Sequence, residues 1–135
     1  MDTGELDKAT YIRLTTFRRD GTAVSCPVWL ALTGDATYVF TTDLDSGKAK
    51  RLRNDQRVEA SVSDARGRVA AGARVYVGRG RVLEGADADA AYAAIARRHR
   101  VLGPLLALGG RIGGLVRRRP AVPRGGVELR LTGTR

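Results

Sequence analysis

Several things are scarce in this 135-residue sequence. There is one cysteine, Cys26, and one histidine, His99. A lone cysteine excludes an intrachain disulfide and a cysteine-built zinc cage, and it fits a reducing compartment. A lone histidine gives no basis for a histidine-rich centre, so no metal site is expected. Aromatic residues are 5% of the chain, and none follows Tyr92. Stacking of nucleobases is therefore poorly supplied, and nucleic acid is disfavoured as a partner. Long apolar runs are missing too: the stretch from Val101 to Gly110 ends at Arg111, too short to span a bilayer. The acidic opening Met1-Asp2-Thr3-Gly4-Glu5 is wrong for a secretory signal. The expectation is a cytoplasmic protein with no membrane span. No catalytic triad or paired carboxylates stand out, so no catalytic acid, base or nucleophile can be named.

What is present suits one globular domain over residues 1–135: 43% hydrophobic and 28% charged residues, long enough to bury a core without staples. The formal net charge is +10, unevenly spread. Residues 46–57 hold five basic side chains and one acid; residues 90–135 hold ten and one. A basic surface attracts phosphorylated or polyanionic partners. Arginine outnumbers lysine heavily, only Lys8, Lys48 and Lys50 being lysines, a bias that a GC-rich genome produces without any function.

β-Branched and aromatic alternation predicts strands at Tyr11–Phe17, Ala23–Leu32, Thr37–Thr42, Arg57–Asp64, Arg74–Glu84 and Val127–Leu131. Arg19-Asp20-Gly21-Thr22 reads as a hairpin turn, and Thr33-Gly34-Asp35 as another. Pro27 marks its strand as an edge or a bulge. Asp45 or Ser46 can cap a short helix that runs to about Asn54, and Asp87 a second with Ala91, Tyr92 and Ile95 as its apolar stripe. Residues 102–125 read as irregular, with room for one short helix. Six antiparallel strands with two or three short helices make a mainly β protein, a small barrel.

The segment Ser46-Gly47-Lys48-Ala49-Lys50-Arg51-Leu52-Arg53-Asn54 carries the chemistry. Ala49 and Leu52 share the face that packs inward, which leaves the basic residues on its flanks. Free backbone N–H groups at the helix start add a positive pole, and Gly47 permits close approach. Lysine point charges and an arginine fork then cradle a phosphate; the plain alternative is a basic helix face turned to water. Other signals carry less. Gly78-Arg79-Gly80 lacks the third glycine of a dinucleotide fingerprint, because position 83 is Leu83. Cys26 reads as an inert thiol, His99 as a surface or helix-end histidine, and Trp29 as either core or a stacking platform.

Leu14-Thr15-Thr16-Phe17-Arg18-Arg19-Asp20-Gly21-Thr22, Pro27-Val28-Trp29, Tyr38-Val39-Phe40-Thr41-Thr42, Ser46 to Leu52 and Arg57-Val58 stand in an ordered set. That set resembles the PPOX-class split β-barrel flavin and deazaflavin oxidoreductases (pyridoxamine 5'-phosphate oxidase-like), in their F420-dependent branch, over roughly residues 10–62. The resemblance implies a six-stranded antiparallel split β-barrel, the FMN-binding split barrel, and a homodimer with a cofactor in each interface cleft. It implies a cofactor phosphate near Lys48, Lys50 and Arg51, with Ser46 and Gly47 beside it. It implies ring contacts around Pro27, Val28, Trp29, Thr41 and Thr42, with Ala60 and Ser61 nearby. The function implied is hydride transfer between reduced deazaflavin and a small electron-poor organic substrate. Two alternatives stay open: an FMN-binding oxidoreductase of the same fold, and a non-catalytic F420 carrier. Coenzyme F420 extends past its phosphate into an oligoglutamate tail, and the arginines of residues 97–124 offer a second positive field for it.

Overall fold

The computed structural model describes residues 2–99 and 124–135. The expected irregular stretch over 102–125 and the Arg117-Arg118-Arg119 run thus lie outside the described residues, apart from the end that opens the last strand. A short helix α1 (Gly4–Lys8) leads into β1 (Tyr11–Phe17), β2 (Ala23–Val28), β3 (Ala31–Gly34) and β4 (Thr37–Asp43). Helix α2 (Gly47–Asn54) follows, then β5 (Arg57–Ser63), β6 (Tyr76–Leu83), α3 (Gly85–Arg98) and β7 (Arg124–Thr134). The strands form one antiparallel sheet in the order β2-β1-β5-β6-β7-β4-β3, curled as in a split barrel.

There are seven strands rather than six. The expected Ala23–Leu32 strand breaks at Trp29-Leu30 into β2 and β3, which sit at opposite edges of the sheet. A single apolar run read as one strand therefore serves two ends of the barrel. Pro27, which has no N–H for a ladder, lies on edge strand β2 as expected. The first hairpin turns at Gly21, with φ 87° and its N–H on the Arg18 carbonyl. The second turns one residue later than expected, at Ala36 (φ 48°), and Gly34 belongs to β3. Helix α3 starts at Gly85 after Glu84, two residues before Asp87, and no side chain caps it.

Inward-facing positions of the curled sheet make the main core: Ile12, Leu14, Tyr38, Phe40, Val58, Ala60, Tyr76, Val127, Leu129 and Leu131. Leu52 of α2 joins them, and Leu6 plugs the end covered by α1. Two core tyrosines tie α1 down: the Tyr38 hydroxyl donates to Asp7, and the Tyr76 hydroxyl donates to Glu5 at 2.8 Å. Helix α3 packs Ala91, Ala94 and Ile95 on the outer face of the sheet, against Ala31, Val39 and Leu83. Its C-terminal neighbour His99 is buried, not at the surface. The ring stacks on Trp29 at 4.8 Å between centroids, and Nε2 lies 3.2 Å from the Leu30 carbonyl oxygen. This contact fixes the chain where β2 hands over to β3.

Candidate functional site at helix α2

Helix α2 begins because Ser46, in extended conformation, turns its hydroxyl back to accept the Ala49 N–H at 3.2 Å. Such a cap contributes about 1 kcal/mol. Ala49 and Leu52 are buried, and this apolar face docks the helix on the barrel next to β1, β4 and β6. Burying Leu52 alone contributes roughly 1.5–3 kcal/mol. The basic side chains are thereby held around the start of the helix.

Three details define the site. First, the Ser46 oxygen also accepts the Thr42 hydroxyl at 2.8 Å, so its own hydroxyl hydrogen has no acceptor among the described residues. Second, Arg51 donates from Nε to the hydroxyl of buried Thr16 at 2.6 Å. Its guanidinium then folds back over the helix start, with one terminal nitrogen 2.8 Å from where a Cβ on Gly47 would stand. Third, the Gly47 and Lys48 N–H groups have no acceptor among the described residues, whereas Lys50 N–H bonds the Ser46 carbonyl. A cation over the positive pole of a helix is unfavourable by itself. An anion placed between the guanidinium, the free N–H groups and the Ser46 hydroxyl reverses the sign of that interaction.

Neither Arg51, Lys48 nor Lys50 has a carboxylate partner among the described residues; Arg53 by contrast faces Glu84 at 3.8 Å, and Arg57 meets Asp55 at 2.8 Å. A groove of about 390 Å³ runs beside the helix, lined by Lys50, Arg51, Asn54, Phe17, Arg18 and Arg19. Lys50 and Arg51 thus line one groove.

The other sequence-expected residues are placed as follows. Thr42 belongs to the cluster through Ser46, whereas Thr41 lies on the other face of β4, opposite Gly126. Pro27 and Val28 sit on β2 opposite Arg13 and Ile12, with Gly67 of the β5–β6 loop close against the Pro27 ring. Trp29 is half-buried, stacked on His99 and edged by Tyr11 at 6.2 Å. The Ala60 side chain is part of the core, and the Ser61 hydroxyl is spent on the Arg74 carbonyl at 3.0 Å. Sequence reasoning missed Thr16. Its signal was a hydroxyl in the inward register of Ile12 and Leu14, a buried polar group that needs a partner.

No curated protein sequence matches the chain. Among solved structures, an F420 reductase superposes with a TM-score of 0.61 at 19% identity, over 100% of this chain and 98% of that one. HupZ from Group A Streptococcus gives 0.63 at 19% identity, over 99% and 92%. HutZ, named as the heme storage protein of Vibrio cholerae, gives 0.63 at 12% identity, over 96% and 87%. These likenesses establish a shared fold. A family model adds sequence evidence: with residues 4–115 matched by the model for pyridoxamine 5'-phosphate oxidase, the chain belongs to that family.

Proposed function

We propose that the protein is an F420-dependent oxidoreductase that transfers a hydride from reduced deazaflavin to a small electron-poor organic substrate, working as a cytoplasmic homodimer with the cofactor in the interface clefts. The observation that carries the reading is the Arg51 guanidinium held by Thr16 over the free N–H groups of α2. That arrangement fits a phosphate monoester or diester, the group that both F420 and FMN place beyond a ribityl-type chain.

Bound there, the deazaflavin would supply the hydride chemistry. The chain's own part is binding and orientation. Arg51 offers its terminal nitrogens to phosphate oxygens, Lys48 and Lys50 neutralise the remaining charge, and Ser46 donates its hydroxyl hydrogen. Thr16 and Thr42 keep Arg51 and Ser46 in place. In this reading Pro27, Val28, Trp29, Thr41 and Thr42, with the backbone at Ala60 and Ser61, form the surroundings of the ring. The Trp29–His99 stack keeps that wall rigid.

FMN is the second reading for the same cradle, and the F420 reductase neighbour supports the first. Histidine-ligated heme, suggested by the name of HutZ, is disfavoured because the one histidine is buried with its ring on Trp29. Fluorescence titration of the apoprotein with F420 and with FMN tests the cofactor; tighter binding of FMN would overturn the assignment. Oxidation of reduced F420 in the presence of a panel of acceptors tests catalysis. Binding without any acceleration would leave a carrier in place of an enzyme. Light scattering tests assembly: the reading requires about twice 14.5 kDa for the loaded protein.

A further inference from the structure

Across the outer face of the sheet, register sets three arginines side by side. Arg57 on β5 pairs with Arg79 on β6, and Arg79 pairs with Arg130 on β7. Neighbouring partners lie about 5 Å apart, so the row crosses three strands in about 10 Å. Like charges directly opposite each other destabilise a sheet. Nothing in the core requires this row, because all three side chains are exposed.

The carboxylates nearby are already engaged. Asp55 holds Arg57 at 2.8 Å, Glu128 holds Arg130 at 3.1 Å and Arg81 at 3.6 Å, and Glu59 holds Arg135 at 3.0 Å. The central residue, Arg79, has neither a direct ion pair nor a hydrogen bond from its side chain among the described residues; it only shares, at longer range, the field of the Asp55 carboxylate that Arg57 already holds. Its surroundings are built closely. The ladder shifts register between Val77 and Gly78, and a Cβ on Gly78 would stand 2.0 Å from the Arg130 carbonyl oxygen. Only glycine allows β6 to come so near β7 beside the row. All three arginines line one groove of about 500 Å³ together with Phe17, Val77, Gly78 and Glu59, the last already paired with Arg135. Arg57 lies over the Phe17 ring at 4.7 Å, and Phe17 also lines the Lys50–Arg51 groove.

We infer that the Arg57–Arg79–Arg130 row is a binding site for an oligoanion, a ligand with two or three phosphate or carboxylate groups spaced about one strand apart. Bound across the row, it satisfies Arg79 and removes the repulsion between the three guanidinium groups. Two sources share this chemistry: an anionic tail on a molecule whose phosphate sits at α2, reaching past Phe17, or a free oligoanion. The inference itself does not depend on the proposed activity; only the first source does.

The test is titration calorimetry of the full chain with inorganic tripolyphosphate. Saturable binding is expected. Arg79→Ala and Arg130→Ala should each weaken it about tenfold or more, the loss of one charge-assisted contact. Arg66→Ala, which removes a charge from an exposed turn elsewhere, should leave it unchanged. No binding, or equal weakening by all three substitutions, would overturn the inference in favour of diffuse charge. Competition then separates the sources. Displacement of tripolyphosphate by F420 with a long glutamate tail, but not by its single-glutamate form, makes the row the distal end of the α2 site. Independent binding of both makes it a site for a free oligoanion. If F420 does not bind at all, the proposed activity falls and the tripolyphosphate result stands on its own.

Discussion

Replacing Gly47 by alanine should separate stability from ligand binding at helix α2. Gly47 has no positive φ, so alanine fits the backbone. In a helix the exchange stabilises by roughly 0.5–1 kcal/mol, less in a first turn. The new Cβ would stand 2.8 Å from a terminal nitrogen of Arg51 and 3.6 Å from its Cζ. The obstacle is the far end of a flexible side chain, so the guanidinium swings aside at little cost to the fold. It cannot swing aside and still hold an anion over the N–H groups of residues 47 and 48. One oriented charge-assisted contact corresponds to about 1.5–3 kcal/mol, or roughly ten- to a hundredfold in dissociation constant. Because Arg51 can still reach the ligand from another rotamer, the lower end, about tenfold, is expected. Thermal melting and a fluorescence titration with F420 on the same preparation measure both quantities. The melting temperature should hold or rise by up to about 3 °C, while affinity falls. Wild-type affinity in Gly47→Ala would refute the placement of the anion under Arg51. A joint loss of stability and affinity would refute the claim that Gly47 serves the site and not the fold.

Ser46→Ala removes both the helix cap and the acceptor for Thr42, so the urea midpoint should fall by the equivalent of about 1 kcal/mol, with weaker cofactor binding. Thr16→Val keeps the shape but leaves Nε of Arg51 without its partner; affinity should drop several-fold at nearly unchanged stability, whereas unchanged affinity would make the Thr16 contact incidental. His99 is held neutral, its pKa pushed below 6.5 by burial, with Arg98 beside it acting the same way and the Leu30 carbonyl acting against it. The unfolded chain therefore takes up a proton that the folded chain refuses, and stability is lost as pH falls below about 6.5. Urea midpoints at pH 7.5 and 5.5 should differ more for the wild type than for His99→Gln, and equal differences would show that His99 does not couple to folding. The Tyr38 hydroxyl is raised well above 10 by burial and by its bond to Asp7. Its share of stability is complete below pH 10 and lost above it, so Tyr38→Phe should flatten the alkaline limb of the denaturation profile.

Most strands were legible because a half-buried sheet imposes alternation, as in Val58-Glu59-Ala60 and Val127-Glu128-Leu129. The α2 cap and its apolar pair were legible because both are local, set within one turn of helix. Two local signals misled. The run from Ala23 to Leu32 has no polar interruption that marks its break, since Trp29 and Leu30 are apolar for tertiary reasons: Trp29 stacks on His99 and Leu30 enters the main core. Asp87 looked like a cap, but the packing of α3 on β3, β4 and β7 starts the helix earlier, at Gly85.

By itself, then, the sequence determined which residues face inward, where α2 starts and that its flanks are basic, because these follow from periods of two and 3.6 residues and from contacts inside one turn. Only the tertiary structure decided which charges meet. Arg51 finds Thr16 thirty-five residues away, Gly47 is open because that guanidinium needs its space, and Arg57, Arg79 and Arg130 align through strand register. Such pairings depend on how distant segments are brought together across the sheet, and no pattern along the chain encodes that distance.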